Sequence, residues 1–231
     1  LRYLTRWQKA NPKPLNANEH ILFAQVHYQT KQFEKALAPL NAAIALTEKE
    51  NKPPKENWLV LQRAVYFELK QPENVTRVLE KMVRLFNKPK YWIQLAGMYG
   101  ETGAEDKQLA VMESAWQAGF IDKESDMSTL AQLYLYNNVP FKAGQIMAEG
   151  IEQGVIKRNL KNLEFLAQAW MMAKENEKAL PVLRAAAELS DNGNNYAILA
   201  ETLVNLEQWQ PAIDAAKLAL QKGDLKNEGN M

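Results

Sequence analysis

The feature that most constrains this chain is a large apolar residue followed by a small one, a pair that keeps its phase over most of the length. Leu95-Ala96 shows it most fully, with Trp92 four residues before Ala96 and Tyr99 three after. Phe23-Ala24, Leu130-Ala131, Leu166-Ala167 and Leu199-Ala200 repeat the pair, and Leu61-Gln62 holds the same place after Trp58. The marker positions 24, 62, 96, 131, 167 and 200 are spaced by 38, 34, 35, 36 and 33 residues. A period near 34 residues is the mark of stacked supersecondary units, each too small to bury its own apolar face.

A second pattern follows inside each unit. Ala36 precedes Leu40, Ala143 precedes Met147, Ala179 precedes Leu183, and Ala212 precedes Ala216, always by four residues. Asn74 with Val78 and Gln108 with Met112 keep the spacing and lose the small residue. Three residues further on stand Ala43, Ala115, Gly150, Ala186 and Ala219, with Lys81 as the exception. Apolar residues at i, i+3, i+4 and i+7 in each half-unit predict amphipathic helices. Gln71-Pro72, Gly103, Asn137-Asn138-Val139-Pro140 and Asp191-Asn192-Gly193 predict the turns between them. Pro39, Pro181 and Pro211 are expected in about the first turn of second helices, with Pro39 the deepest.

The expected units are 17–50, 55–87, 89–122, 124–157, 160–191 and 193–223, forming one solenoid over 1–231. Residues 1–12 read as the end of a preceding unit and 225–231 as the start of a following one, so the chain reads as a piece of a longer protein. Raw apolar repeat ends of this kind could pair with another copy in a crystal.

Composition narrows the chemistry. Lys and Arg number 28 against 27 Asp and Glu, so there is no global pull toward phosphate backbones and no nucleic-acid partner is expected. Cysteine is absent, which removes disulfides, thiolate metal sites and cysteine nucleophiles. The two histidines, His20 and His27, fall on packing positions and are expected to be satisfied structural groups. Glu105-Asp106 and Glu48 with Glu50 read as solvated charge. The 191–195 turn lacks the residue spacing of a calcium loop. No apolar run approaches the ~18 residues of a membrane span. No catalytic residue, metal set or cofactor site is expected.

Taken together, these motifs resemble the tetratricopeptide (TPR) repeat, W-x2-L-G-x2-Y followed by A-x3-F, with Ala in the Gly slot. The resemblance covers nearly the full length. It implies an all-α, right-handed α-solenoid of TPR-type helical hairpins, about six full repeats with partial repeats at both ends. It also implies a non-catalytic scaffold that binds a protein or peptide segment. The stretches 88–99 (containing Tyr91-Trp92-Ile93-Gln94-Leu95-Ala96-Gly97-Met98-Tyr99), 129–136 and 161–170 are similar to the TPR proteins encoded beside TonB–ExbB–ExbD systems of Gram-negative bacteria. That similarity implies a periplasmic setting, with TonB, ExbB or ExbD components as candidate partners. The other readings are an RNA-binding helical-repeat protein, since pentatricopeptide units share this length, and the regulatory arm of a larger enzyme.

By the same resemblance, the partner-binding groove comes from first helices, at offsets near −3, +1 and +4 or +5 from each marker. The first three repeats then offer Gln25, Tyr28, Arg63 and Tyr66, together with Ile21, Leu59, Ile93, Gly97 and Glu101. The last three offer Gln132, Tyr136, Gln168, Met171, Glu201 and Asn205, together with Ser128, Glu164 and Ala197. Gln25, Gln132 and Gln168 form a ladder at one offset that could hydrogen-bond an extended chain. The Lys and Asn cluster by which some TPR domains grip a terminal carboxylate has no counterpart among Ile21, Gln25, Leu59, Arg63, Ile93 and Gly97.

Overall fold

The computed structural model describes residues 13–225, together with Arg6 and Ala10. The preceding-repeat reading of 1–12 and the following-repeat reading of 225–231 therefore lie outside the described residues, apart from Arg6, Ala10 and Leu225. Among the described residues there are twelve helices of about three or four turns and no strand. They fall into two compact units, Leu1–Ala118 and Gly119–Met231.

The first unit holds α1 (Ala17–Gln29), α2 (Phe33–Lys49), α3 (Glu56–Glu68), α4 (Pro72–Phe86), α5 (Pro89–Glu101) and α6 (Glu105–Gln117). The second holds α7 (Glu124–Tyr136), α8 (Pro140–Glu152), α9 (Leu160–Met172), α10 (Asn176–Leu189), α11 (Asn194–Asn205) and α12 (Trp209–Lys222). Within each unit every helix packs on the next one along the chain, so each is a stack of three TPR-like hairpins. Odd-numbered helices are the first helices of their repeats and even-numbered helices the second.

The small positions explain how the helices come so close. Ala24, Ala131 and Ala167 on first helices, and Ala36, Ala143 and Ala179 on second helices, are all buried. Leu40, Met147 and Leu183 fill the space they leave. A buried leucine contributes about 2 kcal/mol. Local signals start the helices. Asn16 and Glu19 form a capping box at α1, with bonds of 3.0 and 2.8 Å. Asn159 caps α9 through the Asn162 amide at 2.9 Å. Pro72, Pro89 and Pro140 open α4, α5 and α8, where their missing N–H has no partner to lose.

All six hairpins use one turn. A residue in the left-handed region stands at Lys31, Lys70, Gly103, Asn138, Lys174 and Glu207. The next amide reaches back five residues: Gln32 N to His27 O at 2.8 Å, Gln71 N to Tyr66 O at 3.0 Å and Val139 N to Tyr134 O at 2.8 Å, with Ala104, Glu175 and Gln208 doing the same. Gly103 and Asn138 suit that conformation. The three lysines and the glutamate do not, and packing of the hairpin holds them there.

Two expectations need correcting. Pro39 is the seventh residue of α2 and Pro181 the sixth of α10, so both lie beyond the first turn, and only Pro211 sits within it. Each helix continues through its proline because the apolar face on either side, Leu37 and Leu40 or Leu180 and Leu183, is held by neighbouring helices. The histidines are half-buried at their packing positions, but Nδ1 of both His20 and His27 is buried with no hydrogen-bond partner among the described residues. They are packed and only partly satisfied.

Candidate partner-binding faces

The three proposed offsets on the first helices meet different surroundings. At −3, Ile21 and Leu59 are buried within the apolar cluster of the first unit, alongside Trp58 and Val65. They are core residues and present nothing to a partner. Here α1 and α3 pack directly on one another, which covers that side of both helices.

At +1 the surface is open. Gln25 and Gly97 are exposed in the first unit, and Gln132, Gln168 and Glu201 in the second. Arg63 is half-buried because its guanidinium donates to Gln94 Oε1 on the next first helix. At +4, Tyr28 is half-buried against Phe33, with ring centroids 5.5 Å apart. Tyr66 is half-buried as well. Met171 is drawn between helices, where its sulfur accepts from Thr202 Oγ1 of α11 at 3.7 Å. At +5, Tyr136 and Asn205 are exposed.

The sequence reading passed over two residues at this last offset, Phe67 and Met172. Both are large, apolar and exposed, like Tyr136. The signal was present, since Phe67 and Met172 stand as far from Gln62 and Ala167 as Tyr136 stands from Ala131. In the second unit, Gln132 and Tyr136 of α7 and Gln168 and Met172 of α9 are all exposed, at matching offsets on successive first helices. Primary amides donate and accept at once, so they can follow the backbone of an extended chain, and the aromatic and thioether groups add apolar contact area.

A set of clamps, also missed, fixes the spacing of the first helices. Tyr91, Asn162 and Asn195 all stand five residues before their markers, and all are buried. Each donates to a glutamate of the preceding first helix: Tyr91 Oη to Glu56, Asn162 Nδ2 to Glu124 Oε1 at 2.9 Å, and Asn195 Nδ2 to Glu164 Oε1 at 2.8 Å. Lys88 and Lys90 also pair with Glu56. Lys88 above all, and then Tyr91, holds the Glu56 carboxyl down to about 2. Burial pushes the Tyr91 phenol up, with Glu56 adding to the effect. Sequence spacing could not find these pairs because the three glutamates sit at three different offsets.

Among the described residues no group of three or more His, Asp or Glu side chains gathers to hold a metal ion. No described helix is long and apolar enough to cross a membrane.

No protein-family model matches the chain, and no curated protein matches it. Solved structures do. MamA AMB-1 aligns with a TM-score of 0.54 at 17% identity, covering 77% of this chain and 96% of that one. The structure of Naa15/Naa10 bound to HypK-THB aligns with a TM-score of 0.64 at 16% identity, covering 96% of this chain and 33% of that one. At such identities the likeness is one of fold. In fold, the chain is a TPR-like helical-repeat protein.

Proposed function

We propose that this protein is a non-catalytic interaction scaffold whose first-helix faces bind extended protein segments. The observation that carries the reading is the exposed row at offset +1, Gln132 and Gln168 with Glu201 in the second unit, bordered by the exposed side chains of Tyr136 and Met172. In the first unit Gln25, Arg63 and Phe67 offer the smaller counterpart. Such a surface acts by tethering and positioning, since a preformed helical stack changes little on binding. The fold neighbour in which Naa15/Naa10 is bound to HypK-THB is an assembly of this broad kind. The finer setting, a periplasmic accessory of a TonB–ExbB–ExbD system, rests on the similarity of the 88–99, 129–136 and 161–170 stretches.

Co-purification of the tagged protein from its own cells, with mass spectrometry of what accompanies it, tests both levels. Gln132→Ala, Gln168→Ala and Tyr136→Ala combined should lose the partner while the helical signal stays unchanged. Undiminished capture would remove the binding face from this surface. Recovery of TonB or ExbB homologues would support the finer setting, and recovery of unrelated envelope proteins alone would discard it.

A further inference from the structure

The near-neutral total charge conceals an asymmetry. Residues 1–118 hold 17 Lys and Arg against 12 Asp and Glu, whereas residues 119–231 hold 11 against 15. The second unit is therefore anionic, and its first helices carry part of that charge outward. At offsets −3, −2, +1, +4 and +5 of α7, α9 and α11 only Glu164 and Glu201 are charged, and both are exposed. Glu164 accepts from Asn195, Glu201 has no partner among the described residues, and neither forms an ion pair with one. The same offsets of the first unit carry one charge of each sign, Glu101 and Arg63, and Arg63 is held by Gln94. Two bonds fix how the second-unit helices sit. Asn195 to Glu164 and Thr202 to Met171 each join residues 31 apart, so α11 runs alongside α9 in parallel. In that register Glu201 stands about 3 Å beyond the level of Gln168 and about 3 Å short of Met172. Gln132, Glu164 and Gln168 stay exposed although a first helix lies beside α7 and α9, so these offsets are open whatever follows α11.

We infer that the first-helix face of the second unit selects extended protein segments in which an arginine or lysine stands near an apolar residue. The inference rests on the reading that this face binds extended segments, and it adds the chemistry of the segment. Charge complementarity names the cation. Two exposed carboxylates without ion pairs, on an anionic unit, attract a basic chain and repel an acidic one. Arginine suits them better than lysine, since its planar fork donates two bonds to one carboxylate. Position names the apolar residue. In an extended segment the next side chain facing the same way is about 7 Å on, comparable with the ~9 Å between packed helices. A cation over Glu201 of α11 therefore sets its neighbour over Met172 of α9, which is 47% exposed. Tyr136, 68% exposed, extends the apolar row to α7, and Glu164 offers a second anchor on α9. A thioether accepts apolar side chains of several shapes, so the selection is for class of residue and not for one sequence.

Panning a phage-displayed library of random ten-residue peptides against the immobilised full chain reads the preference directly. The recovered pool should be enriched in Arg and Lys over Asp and Glu relative to the starting library, with an apolar residue two places from a cation. Glu201→Lys should abolish that enrichment. Glu164→Gln keeps an acceptor for Asn195 and should weaken a selected arginine peptide about threefold in a polarisation titration. Both side chains are exposed, so the helical spectrum should not change. Gln132→Ala combined with Gln168→Ala separates this inference from the reading beneath it. If the amide pair weakens the selected peptide and the two glutamate variants do not, the face binds segments without reading their charge, and this inference alone falls. If neither set weakens it, both readings fall. A pool that is acidic, indifferent to charge or empty would also overturn the selection of cations.

Discussion

In the unit of α1–α6, four small positions carry long polar side chains, whereas α7–α12 keeps Ala or Gly at all nine of its own. The first unit accommodates the intruders with polar bonds. Gln62 donates to Asn41 at 2.8 Å, Lys81 pairs with Glu48, and Asn74 donates to Gln71 at 2.8 Å. Gln108 takes space released by a glycine, since a Cβ on Gly100 would lie 2.8 Å from its amide nitrogen. The second unit instead closes on apolar contact. A Cβ on Gly144 would lie 2.7 Å from the Trp170 ring, and one on Gly150 would lie 2.5 Å from Ile156. One hairpin stack thus tolerates two kinds of inter-helix chemistry. The apolar version is sensitive to added volume, and the polar version to loss of a hydrogen-bond or ion-pair partner.

The sharpest test of that contrast adds volume on both sides. Gly144→Val should destabilise the second unit by about 3 kcal/mol, because Trp170 has no room to retreat in a close-packed interior. Gly97→Ala in the first unit meets nothing within 4 Å and should stabilise α5 by about 0.5 kcal/mol. Native-state hydrogen exchange on the whole chain reads both units at once, and equal responses would erase the difference between them.

A smaller effect should appear in acid. The Glu56 carboxyl sits at about 2 in the folded chain against an ordinary 4.5. Its lowered value means that the stability it adds is complete above the ordinary value and drains away as pH falls from 4.5 toward 2. Amides of α3 and α5 should therefore exchange faster over that window, and less so in high salt, which screens Lys88 and Lys90. Glu56→Gln should be weaker at neutral pH and flatter in acid. An unchanged acid profile would show that the clamp contributes nothing.

The smallest effect concerns the shared turn. Lys174→Gly should raise stability by about 0.5 kcal/mol, because glycine enters the left-handed region without strain. Gly103→Ala should lower it by about 1 kcal/mol for the converse reason. Thermal melts of the two variants should move in opposite directions.

The helical pairs were legible because their code is local. A small residue, a large neighbour and a 3.6-residue period recur often enough to be read without knowing what packs on what. The exposed row at +1 follows from the same period, since it lies opposite the packed stripe. The choice between +4 and +5 was not legible. Those offsets lie 100° apart on a helix, and which one faces outward depends on how the next helix crosses. Phe67 and Met172 were passed over for that reason, and Ile21 and Leu59 were placed on a face that a neighbouring helix covers.

By itself, then, the sequence determined the class of fold, the repeat period, the two-helix unit and the polar row along the first helices. Each is a matter of periodicity, which burial imposes on any chain that makes amphipathic helices. The tertiary structure alone decided the left-handed lysines, the helical residence of Pro39 and Pro181, and the Glu–Asn and Glu–Tyr clamps. Each of these depends on which surfaces meet across tens of residues of sequence. A residue strained or buried by such a meeting carries no local mark of it, because the energy that holds it there comes from the neighbour.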